Sequence, residues 1–230
     1  MTTADRRATE GDTRRSGRLP VIVLALLIAL GLSTPAHADV GREPVLLMHG
    51  WQGSTTQFAA MRTALEQDGF PVYVVDLPGE ENLANAQAIA RVVERARQEH
   101  GDRQVALVGH SMGGLSARHY LKFLGGTKHT RHYISMGTAQ RGYAPACLLP
   151  PADGGQLCPL NSFIIQLNSG DPTPPPVTYT FLNSSLDATR NDTIGGNWCR
   201  AEIPGVEHAD EPADPRFIAA VRHALDGGCG

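Results

Sequence analysis

Residues 105–114 read VALVGHSMGG, and the rest of the chain can be interpreted from this segment. A β-branched apolar run ends at Gly109, a single serine stands at position 111, and a helical pattern begins soon after it. This is Gly-x-Ser-x-Gly in the strand, sharp turn and helix setting that the motif requires. Side chains at Gly109 and Gly113 would collide with neighbouring backbone, because such a turn is tight and strained. The segment therefore predicts an exposed serine hydroxyl, Ser111, at the first turn of a helix with unpaired N–H groups.

Short apolar strands alternate with helices along the chain on both sides of this segment. The predicted strands cover residues 44–48, 71–75, 105–108, 132–136, 177–182 and 200–203. The predicted helices cover residues 57–68, 85–100, 115–124, 160–167 and 215–226. Such alternation is typical of a parallel sheet with helices on both faces, whose functional groups lie in loops at the carboxyl ends of the strands. We expect a single-domain α/β fold with a mostly parallel sheet of about six strands.

The composition excludes several classes of function. The chain has 230 residues, a formal net charge of −3 and 41% hydrophobic residues, which suit one globular domain. This charge is neither basic enough to indicate a nucleic-acid partner nor acidic enough to indicate a solvating tail. We therefore expect no nucleic-acid binding.

The N-terminal residues 1–38 are predicted to be a cleaved signal peptide. Arginines are concentrated before residue 19, residues 19–32 are almost wholly apolar, and Ala36-His37-Ala38 is an A-x-A cleavage signature. The apolar run is too short for a transmembrane helix, which needs roughly 20 residues. We expect cleavage after Ala38 to leave a secreted domain of residues 39–230 without a membrane span. The choice between general and twin-arginine export stays open.

All four cysteines lie in the predicted mature domain, and an even number in an exported chain indicates two disulfides. Three pairings are open. We favour Cys147 with Cys158, because this pair brackets a loop rich in proline and glycine, and Cys199 with Cys229, which would tie the chain end to the last strand region. No spacing is Cys-x-x-Cys, so the cysteines do not indicate a metal site.

Ser111 needs a neighbouring base, because a serine hydroxyl is a poor nucleophile at neutral pH. His208 is the candidate base, since it lies in a loop after a predicted strand and so at the sheet edge that carries Ser111. His119 and His223 lie within predicted helices and are interpreted as packed or solvated side chains. His110, inside the motif itself, is interpreted as a packing residue.

The base in turn needs an acid that selects its tautomer and stabilises its charged form. Asp187 lies nearest to the end of the strand predicted at 177–182 and is the candidate. Asp192, five residues further on, and Asp171, in a proline-rich connector, are the alternatives. The resulting order of serine, aspartate and histidine along the chain is the one expected for this type of sheet.

Two backbone N–H groups would complete the site by binding the negative charge that develops on an attacked carbonyl oxygen. One is expected from Met112, the residue after the candidate nucleophile, and the other from the loop after the first strand. That loop reads His49-Gly50-Trp51, and Trp51 is the candidate donor. A core position for the Trp51 side chain is compatible with this backbone role.

Taken together, the motifs resemble the α/β-hydrolase superfamily, and within it the small secreted bacterial lipases and esterases that lack a large lid. The resemblance rests on LLMHGW at 46–51, GHSMGG at 109–114, NSSLD at 183–187 and GVEH at 205–208. It implies a serine ester hydrolase that forms an acyl-enzyme through a triad of Ser111, His208 and Asp187. The oxyanion hole would consist of Trp51 and Met112. No metal or organic cofactor is expected.

The resemblance implies a small-molecule or lipid ester as substrate, and we expect a monomer with an open site and no marked interfacial activation. An exported acyltransferase or polyester depolymerase could use the same triad, and a non-catalytic binding protein of the same fold is the alternative from another class. Two features depart from the family pattern: the proline-rich segment 138–176 and the weak last strand near 200–203. The first bears on the shape of the acyl pocket and the second on the setting of His208.

Overall fold

The computed structural model describes residues 41–187 and 194–229. The predicted signal peptide at 1–38 and the alternative acid Asp192 lie outside these residues. Within them, none of the helices is both long and apolar enough to cross a membrane.

Six strands form one parallel sheet in the described part of the chain. They are β1 (Val45–Met48), β2 (Val72–Val75), β3 (Val105–His110), β4 (Thr130–Met136), β5 (Thr178–Ser184) and β6 (Cys199–Ile203). Their order across the sheet is β2-β1-β3-β4-β5-β6, and every neighbouring pair is parallel. The predicted architecture is confirmed, and the carboxyl ends of all six strands meet at one edge. The strand near residue 200, weak in sequence, is the edge strand β6.

Helices cover both faces of this sheet. They are α1 (Ala59–Gln67), α2 (Asn82–Glu99), α3 (Met112–Phe123), α4 (Ser162–Asn168) and α5 (Pro215–Leu225). Alternate residues of β1 point to opposite faces, as a strand requires. Val45 and Leu47 pack into one apolar cluster with residues of α1 and α5, whereas Leu46 and Met48 pack into a second cluster with residues of α2 and α3.

The helix after the candidate nucleophile begins directly after Ser111, at Met112, and covers nearly all of the range predicted at 115–124. Gly113 and Gly114 lie in its first turn, although glycine is a poor helix former. Packing accounts for Gly113: a Cβ on this residue would lie 2.6 Å from the carbonyl oxygen of Met48. Only glycine therefore lets the first turn of α3 lie directly against the end of β1. For the same reason β3 and α3 are separated by Ser111 alone.

Segment 138–176 is built from short turns around one disulfide. Three 3₁₀ turns at Ala144–Leu148, Pro151–Asp153 and Gly155–Leu157 precede α4. Cys147 is bonded to Cys158, and Cys199 at the start of β6 is bonded to Cys229 near the end of the chain. These are the two pairs favoured from the sequence. The helix predicted at 160–167 is α4, which starts two residues later because the Asn161 side chain accepts the N–H of Phe163 and caps it.

Candidate active site

Ser111 occupies a strained turn between β3 and α3. Its φ is 53° and its ψ is −125°, a conformation that residues other than glycine rarely adopt. Close packing around the turn makes this conformation possible, because a Cβ on Gly109 would lie 2.6 Å from the Cα of Gly114. Likewise, a Cβ on Gly50 would lie 2.7 Å from the Cβ of Ser111. The glycines therefore let β1, β3 and α3 converge on the serine.

Asp187 and His208 come together at the same edge of the sheet. Asp187 follows β5 and is buried, whereas His208 follows β6 at the start of a 3₁₀ turn, His208–Asp210, with about a third of its side chain exposed. The Nδ1 atom of His208 lies 3.0 Å from the Oδ2 atom of Asp187. An N–H at Nδ1 that donates to this carboxylate leaves Nε2 as the nitrogen with a lone pair.

Ser111 and His208 line one cavity of about 200 Å³. The other residues that line it are mostly apolar: Trp51, Met112, Leu115, Ala139, Tyr143 and Leu157. All three candidate triad residues thus lie at this cavity or directly behind it. The alternative acid Asp171 lies elsewhere, just before the amino end of β5, where its side chain accepts the N–H of Thr173 at 2.9 Å.

Met112 and Trp51 both border this cavity. Met112 is the first residue of α3, and the first N–H groups of a helix have no partner within the helix. The Trp51 side chain does not take the core position that its backbone role would have allowed, since 42% of the residue is exposed. Its indole Nε1 donates to the carbonyl of Asp153 at 3.0 Å and so connects the loop after β1 to segment 138–176.

His49 fixes the loop after β1. Its ring is buried, its Nδ1–H donates to the carbonyl of Gly50 at 3.0 Å, and its Nε2 accepts the N–H of Leu77 at 3.3 Å. Both bonds are satisfied by a single neutral tautomer. His49 therefore braces the turn that carries Trp51.

His110 does more than pack, and the sequence interpretation is incomplete on this point. The ring is buried, and its Nε2–H donates to the main-chain carbonyl of His208 at 2.9 Å. The two imidazole rings are 4.6 Å apart and tilted by 33°. Burial, with a smaller contribution from the neighbouring His208, lowers the pKa of His110 to about 3, so the ring is neutral at physiological pH.

Glu211 is a site residue that the sequence analysis missed. It is completely buried, and its Oε2 atom lies 3.4 Å from Nε2 of His110 and 3.7 Å from Nδ1 of His208. The one available signal was its spacing, three residues after His208. The geometry of a parallel sheet points to acids directly after strands, and Glu211 follows no strand directly.

His110, His208 and Glu211 are also the described residues whose ligand atoms lie close enough together for a metal ion, within 4.8 Å of one another. One ring nitrogen of each histidine already has a partner: Nδ1 of His208 faces Asp187, and Nε2 of His110 faces the carbonyl of His208.

Known proteins similar in sequence to this chain include an esterase and a lipase. The chain is 39% identical over 94 residues to a pimeloyl-[acyl-carrier protein] methyl ester esterase of Vibrio vulnificus, a match that covers 38% of this chain and 35% of the relative. It is 32% identical over 84 residues to a triacylglycerol lipase of Pseudomonas fragi, covering 34% of this chain and 29% of that protein. The chain thus aligns with about a third of the length of these relatives.

Solved structures share the fold over a longer range. The crystal structure of the mature Bacillus licheniformis lipase BlEst2 matches 83% of this chain and 94% of its own, with a TM-score of 0.69 and 16% sequence identity. At this identity the likeness concerns the fold alone. A family model of the α/β hydrolase fold matches residues 43–157, which is half of the sequence. With its single parallel sheet and its serine between β3 and α3, the chain belongs to the α/β-hydrolase superfamily.

Proposed function

We propose that the protein is a secreted serine hydrolase of carboxylic esters, similar to small lipases and esterases without a large lid. The observation that carries this proposal is the 3.0 Å contact between His208 Nδ1 and Asp187 Oδ2, made by a histidine that borders the same cavity as Ser111. A nucleophile, a base and an acid in this arrangement are the requirements for acyl transfer through a serine. The ester-cleaving relatives support an ester as the substrate.

In the proposed mechanism, Ser111 attacks the ester carbonyl while Nε2 of His208 takes its proton. Asp187 accepts the Nδ1–H of His208 and stabilises the imidazolium that forms. The N–H groups of Met112 and Trp51 bind the oxyanion of the tetrahedral intermediate. His208 then returns the proton to the leaving alcohol, and an acyl-enzyme remains. Water activated by His208 releases the acid and regenerates Ser111.

The cavity favours esters with short acyl groups. Its volume of about 200 Å³ lies below the roughly 300–1,000 Å³ of sites that enclose drug-sized ligands. Apolar side chains line most of it, which suits an alkyl chain. We therefore propose that short-chain esters react faster than long-chain triacylglycerols.

Secretion is proposed from two independent features. The first is the leader pattern at residues 1–38, and the second is the pair of disulfides, which form and persist in oxidising compartments. Protein recovered from the medium of an expressing culture should begin at Asp39. Size-exclusion chromatography of the same material should give the mass of a monomer.

The deciding experiment measures hydrolysis of p-nitrophenyl esters from acetate to laurate, together with labelling by a fluorophosphonate probe. We expect saturable hydrolysis of the shorter esters and covalent labelling of Ser111. Ser111→Ala should lose both the labelling and nearly all of the rate, whereas Ser116→Ala, a serine buried in α3, should keep them. A folded protein that hydrolyses none of the esters, or full activity in Ser111→Ala, contradicts the proposal. An added alcohol acceptor distinguishes hydrolysis from acyl transfer by the products formed.

A further inference from the structure

A second carboxylate faces the candidate base. Glu211 is completely buried, although acidic side chains are almost never fully buried unless they have partners. It belongs to the turn that follows His208, and its Oε2 lies 3.7 Å from the same Nδ1 atom that contacts Asp187. The proposed mechanism uses only one of these two acids. The position of Glu211 therefore calls for an explanation.

Gly137 shows how closely the two acids and the imidazole are grouped. A Cβ built on this glycine, which has a φ of +52°, would lie 2.7 Å from both Asp187 Oδ2 and His208 Nδ1. The same Cβ would overlap Oε2 of Glu211. Oxygens of both acids thus surround one face of this glycine together with Nδ1. The missing side chain at residue 137 provides the space that the two acids share.

We infer that Glu211 is a second positioning carboxylate for His208, which accepts its Nδ1–H when Asp187 cannot. The inference rests on the proposed function. Two carboxylates this close do not readily carry a negative charge at the same time, and a positive charge on the neighbouring imidazole favours the state in which both do. The imidazolium forms as Ser111 is deprotonated. Glu211 therefore adds to the stabilisation of the transition state, in which that charge appears.

His110 lies beside this second acid. Its Nε2–H donates to the carbonyl of His208 at 2.9 Å, and the same nitrogen lies 3.4 Å from Oε2 of Glu211. His208 is thus faced by Asp187 from the loop after β5, by Glu211 from its own turn, and by His110 from the end of β3. Because His110 is neutral, the two acids are the groups among these three that can supply a charge next to His208.

The test compares Asp187→Asn, Glu211→Gln and the double variant by kcat/KM on a short p-nitrophenyl ester. Loss of the aspartate of a triad that has no second acid costs about 10⁴-fold in kcat. We expect Asp187→Asn to lose less than about 100-fold here, Glu211→Gln less than about 10-fold, and the double variant about 10⁴-fold. Asp210→Asn, at an exposed acid of the same turn, is the matched control and should have no effect alone or combined with Asp187→Asn.

The pH profile separates a charge effect from a structural one. Glu211→Gln removes a carboxylate that can carry charge next to the imidazolium, so the acidic limb of kcat/KM should move to lower pH in this variant and stay unchanged in Asp210→Asn. A loss of about 10⁴-fold in Asp187→Asn alone overturns the inference. This result does not depend on whether Glu211→Gln folds. An unchanged acidic limb in folded Glu211→Gln overturns it too. Hydrolysis by the wild type and labelling of Ser111 test the proposed function, and neither measurement depends on the role of Glu211.

Discussion

His110 donates a hydrogen bond to the main-chain carbonyl of His208, 98 residues further along the chain. This bond joins the residue immediately before the candidate nucleophile to the residue that is the candidate base. It fixes the loop after β6 to the end of β3, and β6 is an edge strand with only β5 as its neighbour. The relative position of serine and histidine therefore depends on a buried imidazole as well as on the sheet.

His110→Phe should lower kcat far more than it raises KM. The aromatic ring fills the same space but cannot hold the carbonyl of His208, so the base loses its alignment with Ser111. Small misplacements of this kind cost on the order of 100-fold in rate. Steady-state kinetics on a short ester checks this prediction, with His119→Phe as the control histidine in α3. Unchanged kcat in His110→Phe would contradict it.

Stability should decrease on acidification between pH 6.5 and about 3, partly because of His110. Its pKa is lowered from 6.5 to about 3 in the folded protein, chiefly by burial. In this window the unfolded chain binds a proton that the folded chain does not, so a fall in pH favours unfolding. Chemical denaturation at several pH values should therefore give a flatter dependence of the free energy of unfolding for His110→Phe than for the wild type. Equal slopes would show that another group is responsible.

Gly137→Ala should abolish most activity. The added methyl group would lie 2.7 Å from Asp187 Oδ2 and His208 Nδ1, and it would have to displace the imidazole or the carboxylates. We expect a loss of at least about 100-fold in kcat/KM. Gly69→Ala is the matched control, because Gly69 also has a positive φ, +84°, but has no atom within 4 Å of the added Cβ. Both variants should lose some stability, and only Gly137→Ala should lose the rate.

Leu157→Ala should shift the preference toward longer acyl chains. Leu157 lines the cavity and belongs to an apolar cluster with Met112 and Leu115. Its truncation enlarges the acyl side of the site, at a cost of about 2–3 kcal/mol in stability. Ile164→Ala is the control, since Ile164 is buried in the same cluster and does not line the cavity. A series of p-nitrophenyl esters measures the shift, and an equal shift in both variants would assign it to general loosening.

The parts of the site that could be predicted from sequence are those set by local rules. The turn at Ser111 follows from a strand, two glycines and a helix within ten residues. Asp187 and His208 are predicted because parallel strands place their carboxyl ends at one edge of the sheet, so a residue just past a strand is a candidate. The structure brings His208 into contact with Asp187 and to the cavity of Ser111.

The parts that could not be predicted depend on contacts between distant segments. Glu211 lies near His208 because the chain turns between these two residues, and such a turn has no sequence periodicity that would predict it. The exposure of Trp51 depends on segment 138–176, whose Asp153 accepts the indole N–H. The packing of the first turn of α3 against the end of β1 depends on the absence of a side chain at Gly113. In each case the outcome depends on a contact that local sequence rules do not describe.

One wall of the cavity is held by the bond between Cys147 and Cys158, so its rigidity depends on whether the surroundings are oxidising. This bond closes the segment from which Leu157 reaches the cavity, and Tyr143, whose N–H donates to the carbonyl of Leu157, lines the same wall. While the thiols are reduced, as in the cytosol, only non-covalent contacts hold this wall. Under the proposed secretion and ester hydrolysis, the full selectivity of the site would develop after export, when oxidation closes the bond, and the cell that makes the protein would contain a less selective catalyst until then.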